Sequence, residues 1–290
     1  MSIVSIKNEW ITIGVNTHGA ELVSLKSNET GKEYMWCGDS KYWGRVSPVL
    51  FPFVGKLEGQ RYTHKGVTYE NIPQHGFARD SEFELVEQTE NTLWFALIKD
   101  EKWEANYPFD FTLRLGYRLE NQSVHVMWTV INDGTQELHF SIGAHPAFTC
   151  EGGLNGYSLD LHTNLEALPC GVLTQKGVLG EKVVMNKLEQ GVLPLTDELF
   201  DEDALIIDGK GLNTVTIRDK NQNPFLQLRF DAPQLGIWSP VKAHAPFVCI
   251  EPWFGRSDRE GFAGTLAERE YSNSLESGHS FAKEYVIEIL

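Results

Sequence analysis

Apolar and polar residues alternate with a period of two along much of the chain. Successive side chains of a strand point to opposite faces, so this period is typical of strands with one buried face. Alternation or enrichment in β-branched and aromatic residues predicts early strands at Ile11–Val15, Glu21–Leu25, Phe83–Val86, Phe111–Leu119 and Val124–Val130. Later strands are predicted at Tyr157–Leu161, Thr214–Ile217, Phe225–Phe230, Gly236–Trp238, Val248–Ile250 and Tyr285–Ile289.

Turn-forming residues divide these segments into hairpins. The stretch Phe83–Ile98 is predicted to fold back around Glu90–Asn91, and Phe111–Ile131 around Asn121–Gln122. Asn tolerates the backbone conformations that tight turns require. The pattern therefore favours antiparallel neighbours along the chain.

Helical signals are few. A short helix is predicted over Asp197–Asp203, with Thr196 or Asp197 as its cap, and a further turn over Gly261–Ala267. No repeat or Pro/Ser-rich linker divides the chain. Many short strands with regular turns predict an all-β fold, a large antiparallel β-sandwich formed by residues 1–290 as a single domain.

Composition narrows the functional classes. The 290 residues include 40 Asp and Glu against 25 Lys and Arg, a net charge of −15. This balance argues against a nucleic-acid partner and against an anionic membrane surface, since both are bound through Lys and Arg. No apolar run approaches the roughly 18 residues of a spanning helix. The beginning of the sequence does not resemble a signal peptide, and the four cysteines form no CxxC pair, so a cytoplasmic protein with reduced thiols is expected.

Three segments place titratable residues among apolar residues, Gly and Pro. They are residues 45–56 with their continuation 74–80, residues 142–148 and residues 248–256. A carboxylate within Ile-Glu251-Pro-Trp is expected to be partly desolvated, which raises a carboxyl pKa. The histidine of Ala-His145-Pro has an ordinary pKa near ~6.5 and can act as acid or base. The segments thus offer an acid/base pair.

Structural roles compete with these functional ones. His75 could be a turn histidine, His145 a core histidine, and Glu251 an ion-pair partner of Arg256 or Arg259. Two histidines and a glutamate could also hold a metal, but the sequence has no HExxH and no close His/Cys cluster, so a metal-free site is predicted. GxSxG, GxGxxG and GxxxxGK[ST] are absent, and no cofactor is predicted.

Taken together, the segments resemble the aldose 1-epimerase (galactose mutarotase) family, and most nearly its shorter, LacX-like branch. The resemblance rests on Pro-Val-Leu-Phe-Pro-Phe-Val-Gly-Lys, Gln-His-Gly-Phe-Ala-Arg-Asp, Gly-Ala-His-Pro-Ala-Phe and Ile-Glu-Pro-Trp, in that order. It extends over nearly the whole chain. It implies a mutarotase-like sandwich, a sugar substrate of the galactose or glucose type, and a reaction without cofactor or metal.

The resemblance also implies roles for individual residues. The family's general base matches Glu251, its general acid His145, and a sugar-holding histidine His75. The basic residue after the early Gly matches Lys56, where arginine is commoner; a lysine offers a point charge rather than a planar fork. Arg45 and Arg79 are further candidates to supply a guanidinium group to the sugar. A sugar-contacting aspartate is expected at Asp203, for which Asp201, Glu202 and Asp208 compete.

Three rival functions remain open. A hexose-6-phosphate 1-epimerase would need a cationic pocket, which Arg45, Lys56 and Arg79 could form. A non-catalytic carbohydrate-binding protein would not need an acid/base pair. A lyase or hydrolase on the same kind of sandwich would ordinarily use a second carboxylate motif, which the sequence does not show.

Overall fold

Strands dominate the fold in a computed structural model that describes residues 2–98, 101–209 and 211–290. The strands of the first half are β1 (Ile3–Lys7), β2 (Ile11–Asn16), β3 (Glu21–Ser27), β4 (Val49–Leu50), β5 (Tyr62–His64), β6 (Val67–Tyr69), β7 (Glu84–Gln88), β8 (Thr92–Ile98), β9 (Phe111–Glu120), β10 (Ser123–Asn132), β11 (Leu138–Phe140), β12 (Ile142–Ala144) and β13 (Ala147–Thr149). Those of the second half are β14 (Ser158–Asp160), β15 (Ala167–Leu173), β16 (Leu179–Lys187), β17 (Val192–Pro194), β18 (Leu205–Asp208), β19 (Thr214–Arg218), β20 (Pro224–Phe230), β21 (Gln234–Trp238), β22 (Phe247–Phe254), β23 (Asn273–Leu275) and β24 (Ser280–Ile289).

Two large antiparallel sheets form the body of the molecule. The nine-stranded sheet has the order β17-β14-β19-β20-β24-β10-β9-β8-β7. The eight-stranded sheet has the order β16-β15-β18-β21-β22-β12-β4, and β13 adds to it by pairing with β22. Smaller sheets are formed by β1-β2-β3, β5-β6 and β11-β23. The prediction of an all-β antiparallel sandwich is confirmed.

Strand β22 has two faces. One face packs into the core, and the second face points away from it. Val248, Ile250 and Phe254 join the main core cluster. The Phe254 ring lies 6.3 Å from that of Trp128 on β10 and 5.3 Å from that of Phe281 on β24, so this face packs against the nine-stranded sheet. The alternate residues, Glu251 among them, point away from that core because strand side chains alternate.

The predicted hairpins are present. β7 pairs with β8, and the Thr89 N–H donates to the Thr92 carbonyl at 2.8 Å across Glu90–Asn91. β9 and β10 pair from Ser123 opposite Glu120, with Asn121 at a φ of 52° in the turn. The sequence pattern did not predict several short strands, among them β4, β12 and β13, because two or three residues are too few to show a period.

The predicted helices are shorter than expected. Asp197–Phe200 forms a 3-10 helix rather than a helix reaching Asp203, and its N-cap Thr196 makes no side-chain capping bond. The turn expected over Gly261–Ala267 is a 3-10 helix at Leu266–Glu268 with a capping box from Thr265. Other 3-10 helices are Glu58–Gln60 and Ala78–Asp80, and α1 is Glu101–Glu104. Within the described ranges, no helix has the length and apolarity needed to cross a membrane.

Candidate active site

A cavity of about 340 Å³ lies against the second face of β22. Six residues predicted from the sequence line it, namely Lys56, His75, Arg79, His145, Asp203 and Glu251. These residues come from segments far apart in the sequence. The volume falls in the range of small-molecule sites, which begin at about 300 Å³.

Strand register places His145 opposite Glu251. β12 pairs with β22 through Gly143 opposite Trp253, and β13 continues the same register through Ala147 opposite Cys249. The residues between the two short strands therefore face the middle of β22. The Nε2 atom of His145 lies 3.3 Å from Oε2 of Glu251.

Burial controls the charge of this pair. Glu251 is 1% exposed and His145 8% exposed. Burial, helped by the Asp203 carboxylate, raises the pKa of Glu251 well above its usual range, while the indole N–H of Trp253 opposes the shift. Burial, with the charge of Arg79 adding to it, lowers the pKa of His145 to about 3. One proton shared by the pair therefore resides on Glu251, beside a neutral imidazole.

The His75 loop is fixed by backbone bonds to the segment 51–55. The Phe51 N–H donates to the His75 carbonyl at 3.2 Å, and the His75 N–H donates to the Gly55 carbonyl at 2.9 Å. Gly76 has a φ of +69°, and a Cβ there would lie 2.2 Å from the Phe51 carbonyl oxygen, so only glycine fits. His75 itself has a φ of 66°, an uncommon conformation that costs of order 1–3 kcal/mol for a non-glycine residue.

A further hydrogen bond from the segment 51–55 fixes the tautomer of His75. Its Nδ1 accepts the Gly55 N–H at 3.1 Å, so the neutral ring carries its proton on Nε2. Burial, together with the charges of His145 and Arg79, lowers the pKa of His75 well below its ordinary value. His75 therefore presents a neutral ring beside the cavity, and its Nε2 lies 3.1 Å from the side-chain amide of Gln74.

Lys56 is held in the cavity through its backbone. Its carbonyl accepts the Asp258 N–H at 3.0 Å. Asp258 is itself buried, accepting the Glu58 N–H at 2.9 Å on Oδ2 and the Nε–H of Arg269 at 2.7 Å on Oδ1. Among the residues that the structure describes, no carboxylate forms an ion pair with Lys56. Its ammonium group is thus available to a ligand.

The two predicted arginines occupy different places. Arg79 lines the cavity, and its Nη2 donates to the Gln74 carbonyl at 2.8 Å. Burial and the neighbouring charge of Arg45 lower the pKa of Arg79 to about 10. Arg45 does not line the cavity, because its guanidinium turns to Asp80, with Nη2 donating to Oδ1 at 2.8 Å. Its role as a sugar-binding residue stays a prediction.

Asp203 lines the cavity from the segment between the 3-10 helix Asp197–Phe200 and β18. Its φ is 74°, and its Oδ1 accepts the Ala204 N–H at 2.8 Å. Of the competing acidic residues, Asp201, Glu202 and Asp208 do not line the cavity. The position of Asp203 supports it over them as the sugar-contacting aspartate.

Sequence reasoning missed two aromatic walls of the cavity, Trp43 and Trp238. The Trp43 ring stacks on His145 with centroids 4.8 Å apart, and the Trp238 ring meets His145 edge-on at 5.4 Å. Both are partly exposed. The chain has eight Trp residues and its pattern does not distinguish these two from core aromatics.

A set of possible metal ligands also comes together here. One ligand atom from each of His145, Cys249 and Glu251 lies within 4.8 Å of the other two. Cys249 precedes Glu251 by two residues on β22 and shares its face. This cluster could not be read from the sequence, because His145 lies about a hundred residues away.

The family follows from comparison with known proteins. A family model described as Aldose 1-epimerase matches residues 2–271. The chain belongs to the aldose 1-epimerase family. The resemblance predicted from the motifs is confirmed.

Individual relatives extend over the full length of this epimerase-family chain. Protein LacX, plasmid, from Lactococcus lactis subsp. lactis is 32% identical over 301 residues, covering 99% of both proteins. A galactose mutarotase related enzyme from Lactobacillus acidophilus has a TM-score of 0.92 at 33% identity, covering 100% of this chain and 97% of that one. A galactose mutarotase-like protein from Lactobacillus casei ATCC 334 has a TM-score of 0.92 at 28% identity, covering 100% of both. The protein is thus an isomerase of the epimerase class with a mutarotase-like fold that acts on a sugar.

Proposed function

We propose that this epimerase-family protein interconverts the α and β anomers of a free hexose of the galactose or glucose type, with Glu251 as general base and His145 as general acid. The observation that carries the proposal is the 3.3 Å approach of His145 Nε2 to Glu251 Oε2 at the wall of a sugar-sized cavity. Both side chains are buried, so proton transfer is shielded from bulk water.

The proton movements follow from the charge of the pair. When the sugar binds, it separates the two groups. The proton passes from Glu251 to His145, which leaves Glu251 as the carboxylate. Glu251 takes the proton of the anomeric hydroxyl, and His145 donates its proton to the ring oxygen as the C1–O5 bond breaks. Rotation about C1–C2 and closure with the roles reversed give the other anomer and restore both groups. Each proton-transfer group contributes typically 10²–10⁴-fold.

The remaining cavity residues hold the pyranose in our proposal. His75 donates from Nε2, Asp203 accepts from sugar hydroxyls, and Lys56 and Arg79 donate to sugar oxygens. The Trp43 and Trp238 rings offer flat apolar surfaces for the apolar face of a sugar ring. Such contacts keep O1 and O5 aligned with the acid/base pair.

The deciding experiment measures anomer exchange by NMR on freshly dissolved α-glucose and α-galactose. Spontaneous mutarotation gives the background rate. We expect the protein to accelerate exchange of at least one of the two sugars. Binding of both sugars without acceleration would contradict the epimerase proposal and favour the non-catalytic carbohydrate-binding alternative.

A second candidate keeps the chemistry and adds a phosphate. Lys56 and Arg79 line the cavity together, and among the described residues Lys56 has no carboxylate ion pair. Two cations beside a sugar site suit the phosphate of a hexose 6-phosphate. The same exchange assay with glucose 6-phosphate tests it, and a higher kcat/KM for the phosphate than for free glucose would favour this substrate.

Replacing His75 by Ala is expected to weaken sugar binding more than replacing His145 by Ala. The His75→Ala variant loses a hydrogen-bond donor to the sugar. Such a bond is worth about 0.5–1.5 kcal/mol, or up to about tenfold in Kd. Titration with galactose measures both variants, with exposed His279→Ala as the control. The reverse order of the two Kd values would contradict the role of His75 as a sugar ligand.

The pH profile follows from the shared proton. As pH falls through the His145 pKa of about 3, the pair gains a second proton and loses its base. As pH rises through the elevated pKa of Glu251, the pair loses its only proton and with it the acid. We therefore expect kcat/KM to fall as pH approaches about 3, to show no inflection near 6.5, and to fall again only as pH rises through the elevated pKa of Glu251. An inflection near 6.5, the ordinary value for histidine, would show that His145 is not a neutral buried imidazole in the free protein.

We also propose that residues 1–290 form one domain located in the cytoplasm. The main core cluster takes residues from both large sheets and from β1 to β24, which supports a single folding unit. Cys37, Cys150, Cys170 and Cys249 are free thiols. Free thiols suit a reducing compartment.

A further inference from the structure

A buried thiol lies directly beside the proposed acid/base pair. Cys249 has none of its surface exposed, and it shares the face of β22 that carries Glu251. The register Ala147 opposite Cys249 places it beside the turn that carries His145. Ligand atoms of the three side chains lie within 4.8 Å of one another.

Two features give this cluster the character of a ligand site. First, Oε2 of Glu251 is buried and makes no hydrogen bond of good geometry among the described residues, because its 3.3 Å contact with His145 Nε2 is an approach between two candidate ligand atoms. Second, the donor set is one sulfur, one imidazole nitrogen and one carboxylate oxygen, which suits Zn²⁺ and softer ions of the same charge. Tetrahedral zinc holds its ligand atoms roughly 3.3–3.8 Å apart, so the three ligand atoms must move closer together when the ion binds.

We propose that His145, Cys249 and Glu251 form an inhibitory site for Zn²⁺ or Cd²⁺. On binding, the S–H bond of Cys249 and the O–H bond of the protonated Glu251 break, both protons leave to solvent, and metal–sulfur and metal–oxygen bonds form. The metal also takes the electron pairs of His145 Nε2 and the Glu251 carboxylate. Neither group can then exchange a proton with a sugar, so metal and sugar compete.

Cys249 is not needed for the proposed reaction. It does not line the cavity and packs instead with Trp36, Ala147 and Phe247. Metal binding can therefore be removed by changing Cys249 while the acid/base pair stays. The competition with sugar rests on the proposed function, whereas metal binding itself does not.

The test uses the full chain with the exposed Cys37 replaced by Ser, so that no surface thiol captures metal. In this background, Cys249→Ala is compared with Cys170→Ala, which removes a buried thiol outside the cluster. Calorimetry with Zn²⁺ gives affinity and stoichiometry. Ultraviolet absorption on adding Cd²⁺ reports the thiolate–metal bond. Anomer exchange and galactose competition are measured on the same samples.

We expect one tightly bound ion per chain, a thiolate–Cd²⁺ band, and a metal affinity that falls at least about tenfold in Cys249→Ala but not in Cys170→Ala. Unchanged affinity in Cys249→Ala would overturn the site, as would activation of anomer exchange by the metal. If Cys249→Ala does not fold, Cys249→Ser is measured in its place by the same criteria. Metal binding that depends on Cys249 in a protein without epimerase activity would uphold the site and contradict the proposed function.

Discussion

Replacing Glu251 by Gln is expected to lower kcat for anomer exchange by about 10²–10⁴-fold. Gln keeps the shape and the polar contacts of the side chain but cannot accept a proton at neutral pH. Glu251 is 1% exposed, so its carboxylate is largely shielded from bulk water that could act as the base in its place. The Kd for galactose is expected to change by less than about tenfold, because the side chain acts on a proton more than on the sugar. Exchange NMR gives the rate, and titration with galactose gives the Kd.

The matched control is Glu276→Gln, which makes the same chemical change at an exposed position. It is expected to retain the wild-type rate. A wild-type rate in Glu251→Gln would remove Glu251 as the base and leave the acid/base pair without its central member. A large loss of galactose binding with an unchanged kcat would reassign Glu251 to sugar binding.

Replacing Asp258 by Asn is expected to lower the free energy of unfolding by about 3–5 kcal/mol. Asp258 and Arg269 form a buried ion pair, with side chains 4% and 3% exposed. Asn leaves the guanidinium of Arg269 buried without a counter-charge, and this is the costly outcome for such pairs. Urea denaturation at constant protein concentration measures the loss.

Two comparisons isolate the buried pair. Asp231→Asn breaks the pair of Lys283 with Asp231, whose side chain is 90% exposed, and is expected to cost at most about 1 kcal/mol. The double variant Asp258→Asn/Arg269→Met removes both charges and is expected to recover part of the stability. A loss below about 1 kcal/mol in Asp258→Asn alone would show that the pair is not desolvated as the structure has it.

Sequence patterns predicted the longer strands and the hairpins because these depend on local order. The alternation over Phe111–Leu119 and Val124–Val130, with a two-residue Asn121–Gln122 turn between them, leaves little choice but an antiparallel hairpin. Strands of two or three residues, such as β4 and β12, carry no such period. They exist because longer neighbours, above all β22, offer them hydrogen-bonding partners.

The motifs predicted individual site residues, which the strand pattern could not. They selected His75, His145 and Glu251 from segments that the fold brings to one cavity. The motifs did not separate Arg79 from Arg45, since both are arginines next to apolar segments. The difference arises in three dimensions, where Arg45 pairs with Asp80 outside the cavity lining and the partly exposed Arg79 lines the cavity.

The sequence by itself therefore determined the all-β class, the antiparallel hairpins and the family, and it predicted His145 and Glu251 as the acid/base pair. Each of these depends on residue types and on spacings of a few residues. Only the tertiary structure decided the register that sets His145 against Glu251, the choice of Trp43 and Trp238 as cavity walls, and the place of Cys249 beside the pair. These depend on contacts between residues tens to hundreds of positions apart, and burial, which decides their protonation, exists only once the sheets have packed.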